Sequence, residues 1–118
     1  MVFLNKGEFI KMYIVPLTPS PNQTFTSTIP IDGKKVKFFF FLRYNTEQKC
    51  WEMDLKDEDN NPLIYSIPLV CGLNLLEQYS YLNIGSAYIL KADSNVPGDR
   101  PNEHNLGKQF ILFWGDTQ

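Results

Sequence analysis

Hydrophobic and polar positions alternate with a period of two along most of the chain, the spacing that sends successive side chains to opposite faces of a β-strand. Residues 11–17 (KMYIVPL) open the series as a first strand that Pro16 confines to an edge or ends. The cluster Thr18-Pro19-Ser20-Pro21-Asn22 reads as a loop. In residues 23–29, Phe25, Ser27 and Ile29 share one face, and Thr24, Thr26 and Thr28 share the other. Asp32-Gly33 then lies between two β-prone runs, a strong hairpin signal. The next strand, residues 35–44, starts by alternating Val36 and Phe38 against Lys35 and Lys37. From Phe38 to Leu42 both of its faces are apolar, which predicts cover on both sides, within the chain or from a neighbour.

After a turn at residues 45–49, residues 50–56 alternate cleanly, with Trp51, Met53 and Leu55 inward and Glu52, Asp54 and Lys56 outward. Residues 57–62 form a polar tip, and residues 63–70 (LIYSIPLV) form a further strand in which Pro68 implies an edge or a bulge. Asn74 with Glu77 three positions on offers an N-cap for one or two turns of helix, ended at residues 83–86. Residues 87–92 and 109–114 close the series as strands, separated by a long polar surface loop at 93–108. The expected fold is all-β: a small sandwich or barrel of about seven antiparallel strands with one short helix.

Length fits one domain at 1–118, with an N-terminal extension at 1–10 and the β domain at 11–115. Aromatic residues make up 14%, nine of them Phe, so a core or a partner surface must cover many large rings. Eleven Lys and Arg against thirteen Asp and Glu leave no basic excess, which disfavours nucleic acid as the main ligand. The apolar start Met1-Val2-Phe3-Leu4 gives way at once to Asn5-Lys6-Gly7-Glu8, so no signal-peptide core is expected, and no run approaches a membrane span. Synthesis in the cytosol then predicts that Cys50 and Cys71 are free thiols.

Candidate chemistry is sparse. His104 stands alone in a polar loop, and no serine sits in a Gly-x-Ser-x-Gly elbow. Two cysteines and one histidine match no zinc spacing. The acidic tip at residues 54–61 lacks the ligand ladder, central Gly and terminal Glu of an EF-hand loop, and reads as a solvated turn. Lys34, Lys35 and Lys37 beside four consecutive Phe residues resemble an oligonucleotide-binding strand, but alternation leaves at most two of those rings on one face. The expectation is therefore no catalysis, no metal and no cofactor.

Several segments together resemble a known family. Ile14-Val15-Pro16-Leu17 is followed by Asn22-Gln23-Thr24-Phe25, then by Leu42-Arg43-Tyr44-Asn45 and Trp51-Glu52-Met53-Asp54-Leu55. Ile67-Pro68-Leu69-Val70 leads to Gly72-Leu73-Asn74-Leu75-Leu76, Tyr79-Ser80-Tyr81-Leu82 to Gly85, and Asn105-Leu106-Gly107 precedes the last strand. This ordered set, from about residue 14 to residue 114, is similar to the baseplate plug proteins of tailed phages and related tail-like particles. The cysteines depart from that pattern, and the first eight residues look like an individual extension.

The resemblance implies a structural subunit of the virion, assembled in the host cytoplasm and placed in the tail baseplate at the distal end of the tail tube. Its implied neighbours are hub and tube-initiator proteins, with tape measure or spike protein as further candidates, and self-association is compatible with it. No membrane and no specific nucleic acid are expected, on the short apolar runs and the charge balance above. Within residues 74–81 a short helix has room to bury Leu75 and Leu76 against the sheet and leaves Tyr79 or Tyr81 partly outside; Leu76, Tyr79 and Tyr81 are the candidate partner-binding residues. Two other functions fit the residues taken alone. One is a non-catalytic β-barrel module for carbohydrate or single-stranded nucleic acid, and the other is a hydrolase with dispersed carboxylates.

Overall fold

The computed structural model describes residues 12–118 in full and residues 2–5 and 8–10 as backbone strands. Strands β1 (Val2–Asn5) and β2 (Glu8–Ile10) pair antiparallel. The expected start of the next strand at Lys11 lies outside the described residues. From residue 12 onward the strands are β3 (Tyr13–Val15), β4 (Asn22–Ile31), β5 (Lys34–Asn45), β6 (Cys50–Asp57), β7 (Pro62–Pro68), β8 (Ser86–Lys91) and β9 (Phe110–Gly115). A large antiparallel sheet runs in the order β4-β5-β6-β7, and a small one runs β3-β9-β8.

The two sheets stack face to face as a sandwich rather than closing into a barrel. Trp114 of the small sheet lies 5.7 Å from the Phe38 ring and 5.6 Å from the Phe40 ring of the large one, centroid to centroid. Between the sheets runs one hydrophobic cluster built from the inward rows predicted by alternation: Ile29 and Ile31, Phe38, Phe40 and Leu42, and Trp51, Met53 and Leu55. The two buried indoles find acceptors for their N–H groups, Trp51 on the Asn102 carbonyl and Trp114 on the Ile84 carbonyl, both at 2.8 Å.

Turn chemistry sets the register. Asp32 (φ 52°) and Gly33 (φ 80°) form the two-residue hairpin turn that needs positive φ at both positions, and Ile31 faces Lys34 across it. The Asp32 carboxylate accepts hydrogen bonds from the Thr117 N–H (3.0 Å) and hydroxyl (2.8 Å), and Asp116 returns one from the Asp32 N–H (2.8 Å). This clasp ties the hairpin of the large sheet to the chain end that follows the small sheet. Edge strand β7 ends at Pro68 and shifts register twice against β6, with Ser66 at φ 58°.

Two expectations change. Residues 93–108 are irregular, as expected, but they are not a free surface loop: Val96, Pro101 and Leu106 are buried, and Asn102 and Asp99 carbonyls bond to Trp51 and to the Cys71 N–H. The apolar residues scattered among the polar ones hold this segment against the sandwich. The helical segment is a 3₁₀ helix, Glu77–Leu82, with Tyr79 off helical geometry at φ −112°. Asn74 does not cap it as expected. Its side-chain oxygen instead accepts from the N–H groups of Leu76 and Ala87, each at 3.0 Å, and so ties the segment to the start of β8.

Candidate partner-binding surfaces

The groups that could carry chemistry are each occupied elsewhere or isolated. His104 is exposed, with Glu103 3.7 Å away as its ionic neighbour. The Asp57 carboxylate accepts from the N–H groups of Asp59 and Asn61, both at 2.9 Å, and these bonds, chiefly that from Asn61, hold its pKa below the usual carboxylate value. The acidic tip is thus a turn that satisfies its own backbone. Glu52 and Asp54 both engage Arg43, at 3.1 Å and 3.0 Å. Cys50 is buried and Cys71 half-buried, neither in a disulfide, and burial raises the pKa of both thiols. Among the described residues no three His, Cys, Asp or Glu side chains gather as a metal cluster.

Outward, the sandwich leaves several large apolar side chains exposed. Of the candidate docking residues, Leu76 is fully buried and belongs to the core, so it cannot meet a partner in this conformation. Tyr79 is half-buried and packs on that core, whereas Tyr81 is 73% exposed. Sequence alternation could not separate these fates, because a 3₁₀ turn rotates its side chains differently from an α-helix. Leu73, 48% exposed, stands just before the same segment. An open cleft of about 610 Å³ lies here, lined by Leu73, Glu77 and Ser80 on one side and by Tyr88 of β8 on the other.

Tyr88 leads onto the outer face of the small sheet. Ile14, Phe113 and Tyr88 form one cross-strand row there, and Ile111 and Leu90 face each other in the next. Ile14 is 54% exposed, the other four are partly buried, and neither row holds a charge. These residues were not singled out from the sequence, although the unbroken apolar run Phe110–Trp114 carries the signal of a strand covered on both faces.

The outer face of the large sheet is different in character. Phe39 and Phe41 lie half-buried on it, with Lys37 5.8 Å above the first ring and Arg43 5.7 Å above the second. Arg43 also donates to the Ser66 hydroxyl at 2.6 Å, and its charge is met within the sheet by Glu52 and Asp54. Phe38 and Phe40 point inward, so two of the four rings face solvent, as the alternation required.

Across residues 12–117 the sequence matches the family described as "Cyanophage baseplate Pam3 plug gp18". The chain belongs to this baseplate plug family. The match spans both sheets, the 3₁₀ segment and the irregular connection between β8 and β9. Comparison with curated proteins returned no match. Membership in the plug family makes the chain a structural component of a phage tail baseplate, and so of the virion, where it meets other baseplate components. Surfaces of this kind, rather than a pocket with reactive groups, are what such a role draws on.

Proposed function

We propose that this chain sits at the distal end of the tail tube, beside hub and tube-initiator proteins, and helps close or organise the central channel until infection. The observation that carries this reading is the plug-family match over residues 12–117. Two surface features support it. The uncharged outer face of the small sheet and the adjoining Leu73 and Tyr81 leave large apolar groups in water, which a subunit of an assembly hides against its neighbours. Tyr79 and Tyr81 present the contact, and Leu76 anchors their segment from beneath.

Replacing Tyr81 by Ser removes little that the isolated chain uses, so stability should change by no more than about 0.5 kcal/mol. The pair Tyr79→Ser and Tyr81→Ser together should weaken incorporation into baseplates while the free chain still melts as a folded domain. Early melting, with normal incorporation of whatever folds, would assign the segment to the core and overturn its docking role.

A further inference from the structure

Of the seven glycines in the chain, only Gly33 follows an aspartate or an asparagine. Asp-Gly is the sequence in which a backbone nitrogen most readily attacks the preceding carboxyl side chain, because glycine has no Cβ to crowd its nitrogen. Here the pair forms the turn between β4 and β5, with φ 52° at Asp32 and 80° at Gly33. Both residues are exposed, and a Cβ on Gly33 would meet nothing within 4 Å, so solvent reaches the turn. The strand pairing closes at Ile31 and Lys34, and among the described residues the Gly33 N–H has no acceptor.

The Asp32 carboxylate, in contrast, is held. Its Oδ1 accepts from the Thr117 N–H at 3.0 Å and its Oδ2 from the Thr117 hydroxyl at 2.8 Å, so one residue engages both oxygens. That hydroxyl is itself fixed by the Gly85 N–H, which donates to it at 3.0 Å. The Asp32 N–H donates to the Asp116 carboxylate at 2.8 Å, and the Ser86 hydroxyl donates to the Asp116 carbonyl at 2.8 Å. The clasp is therefore anchored at the start of β8 as well as at the hairpin.

We propose that Asp32 is a site of spontaneous isoaspartate formation and that the Thr117 clasp keeps this reaction slow in the folded chain. The Gly33 nitrogen attacks the Asp32 Cγ and forms an N–C bond. One carboxylate oxygen leaves as water, taking the amide proton and a proton from solvent, and a cyclic imide results. Water then opens the ring at either carbonyl. One opening restores aspartate; the other gives isoaspartate, with the main chain routed through Cβ and Cγ. Nothing is oxidised or reduced. Because one oxygen must leave, ring closure breaks at least one bond to Thr117, and the reaction runs through the fraction of molecules whose clasp is open. Isoaspartate adds an atom to the main chain of a tight turn and takes the carboxylate away from Thr117, so the hairpin loses the feature that sets its register. A virion makes no new protein, so an altered chain stays in its particle. That consequence rests on the baseplate role, and the chemistry does not.

The purified chain, aged at fixed pH and temperature and read by peptide mapping with mass spectrometry that resolves isoaspartate, tests both halves of the proposal. The parent should form isoaspartate at Asp32 at least about tenfold faster when unfolded in urea than when folded, because unfolding abolishes the clasp. Thr117→Val keeps the backbone donor and loses the hydroxyl. It should still melt as a folded domain yet age about tenfold faster than the folded parent, the effect of one hydrogen bond to a charged group. Asp32→Glu, whose closure needs a larger ring, should form no isomer at residue 32 in either state. Equal rates for folded and unfolded parent, or a folded Thr117→Val chain that ages at the parent's rate, would overturn the protective role of the clasp. An unfolded parent without isoaspartate at Asp32 would overturn the site itself. Should Thr117→Val not fold, the comparison of folded with unfolded parent decides. None of these outcomes bears on whether the chain belongs in a baseplate.

Discussion

Trp51 offers a measure of how much of this sandwich rests on burial and how much on one buried hydrogen bond. Its side chain is fully buried, its ring meets Tyr44 edge-on at 5.5 Å, and its N–H donates to the Asn102 carbonyl at 2.8 Å. Trp51→Ala empties a ring-sized volume between the sheets, at a cost of about 3–5 kcal/mol. Against a total of about 5–15 kcal/mol for a domain, that is a large fraction. It should lower the thermal midpoint by roughly 10–25 °C. Trp51→Phe keeps most of the buried ring and deletes only the donor. Asn102 is exposed, so water can reach its freed carbonyl, and the cost should stay near about 1 kcal/mol plus the smaller ring's lost contacts. Thermal and urea unfolding, followed by circular dichroism, report both variants, and Trp114 remains as a fluorescence probe. Equal losses for the two variants would show that the hydrogen bond, not burial, dominates. A Trp51→Ala chain with the parent midpoint but impaired assembly would contradict the core assignment altogether.

Gly107 and Gly33 both have φ near 80°, but a Cβ at Gly107 would collide with the Leu17 carbonyl whereas one at Gly33 would meet open space. Gly107→Ala should therefore cost about 2 kcal/mol or more and Gly33→Ala about 1 kcal/mol, read as shifts in urea midpoint; equal shifts would remove Leu17 from the explanation. Thiol titration should find both Cys50 and Cys71 in the urea-unfolded, unreduced chain, with Cys50 slow to react when folded. Because burial raises both thiol pKa values above the ordinary 9.0, the folded state binds those protons more tightly than the unfolded state. Their contribution to stability should then be complete below about pH 9 and decline as pH rises beyond it. Cys50→Ala should flatten that decline, and an unchanged profile would assign it to other groups.

The large sheet was legible in the sequence because its signals are local. Asp32-Gly33 requires a tight hairpin, and the alternation of Trp51, Met53 and Leu55 with Glu52, Asp54 and Lys56 puts the first three in the core, where all three are fully buried. Features that depend on distant partners were not legible. Asn74 looks like a helix cap until Ala87 is beside it. The polar run at 93–108 hides Val96 and Leu106, whose burial follows from their place against the sandwich rather than from their neighbours in sequence. The outer face of the small sheet joins Ile14 to Phe113 and Tyr88, and only the strand order β3-β9-β8 brings them together.

Placement at the distal end of the tail tube is the part of the proposed role that goes beyond membership of the plug family. Cryo-EM of purified particles, with residues 12–118 fitted, decides it. Density for the sandwich is expected inside the baseplate at the tube end, with the Leu73 and Tyr81 surface and the outer face of the small sheet against neighbouring subunits. Baseplates that lack the chain, or hold it with those surfaces open to solvent, would overturn the proposed role.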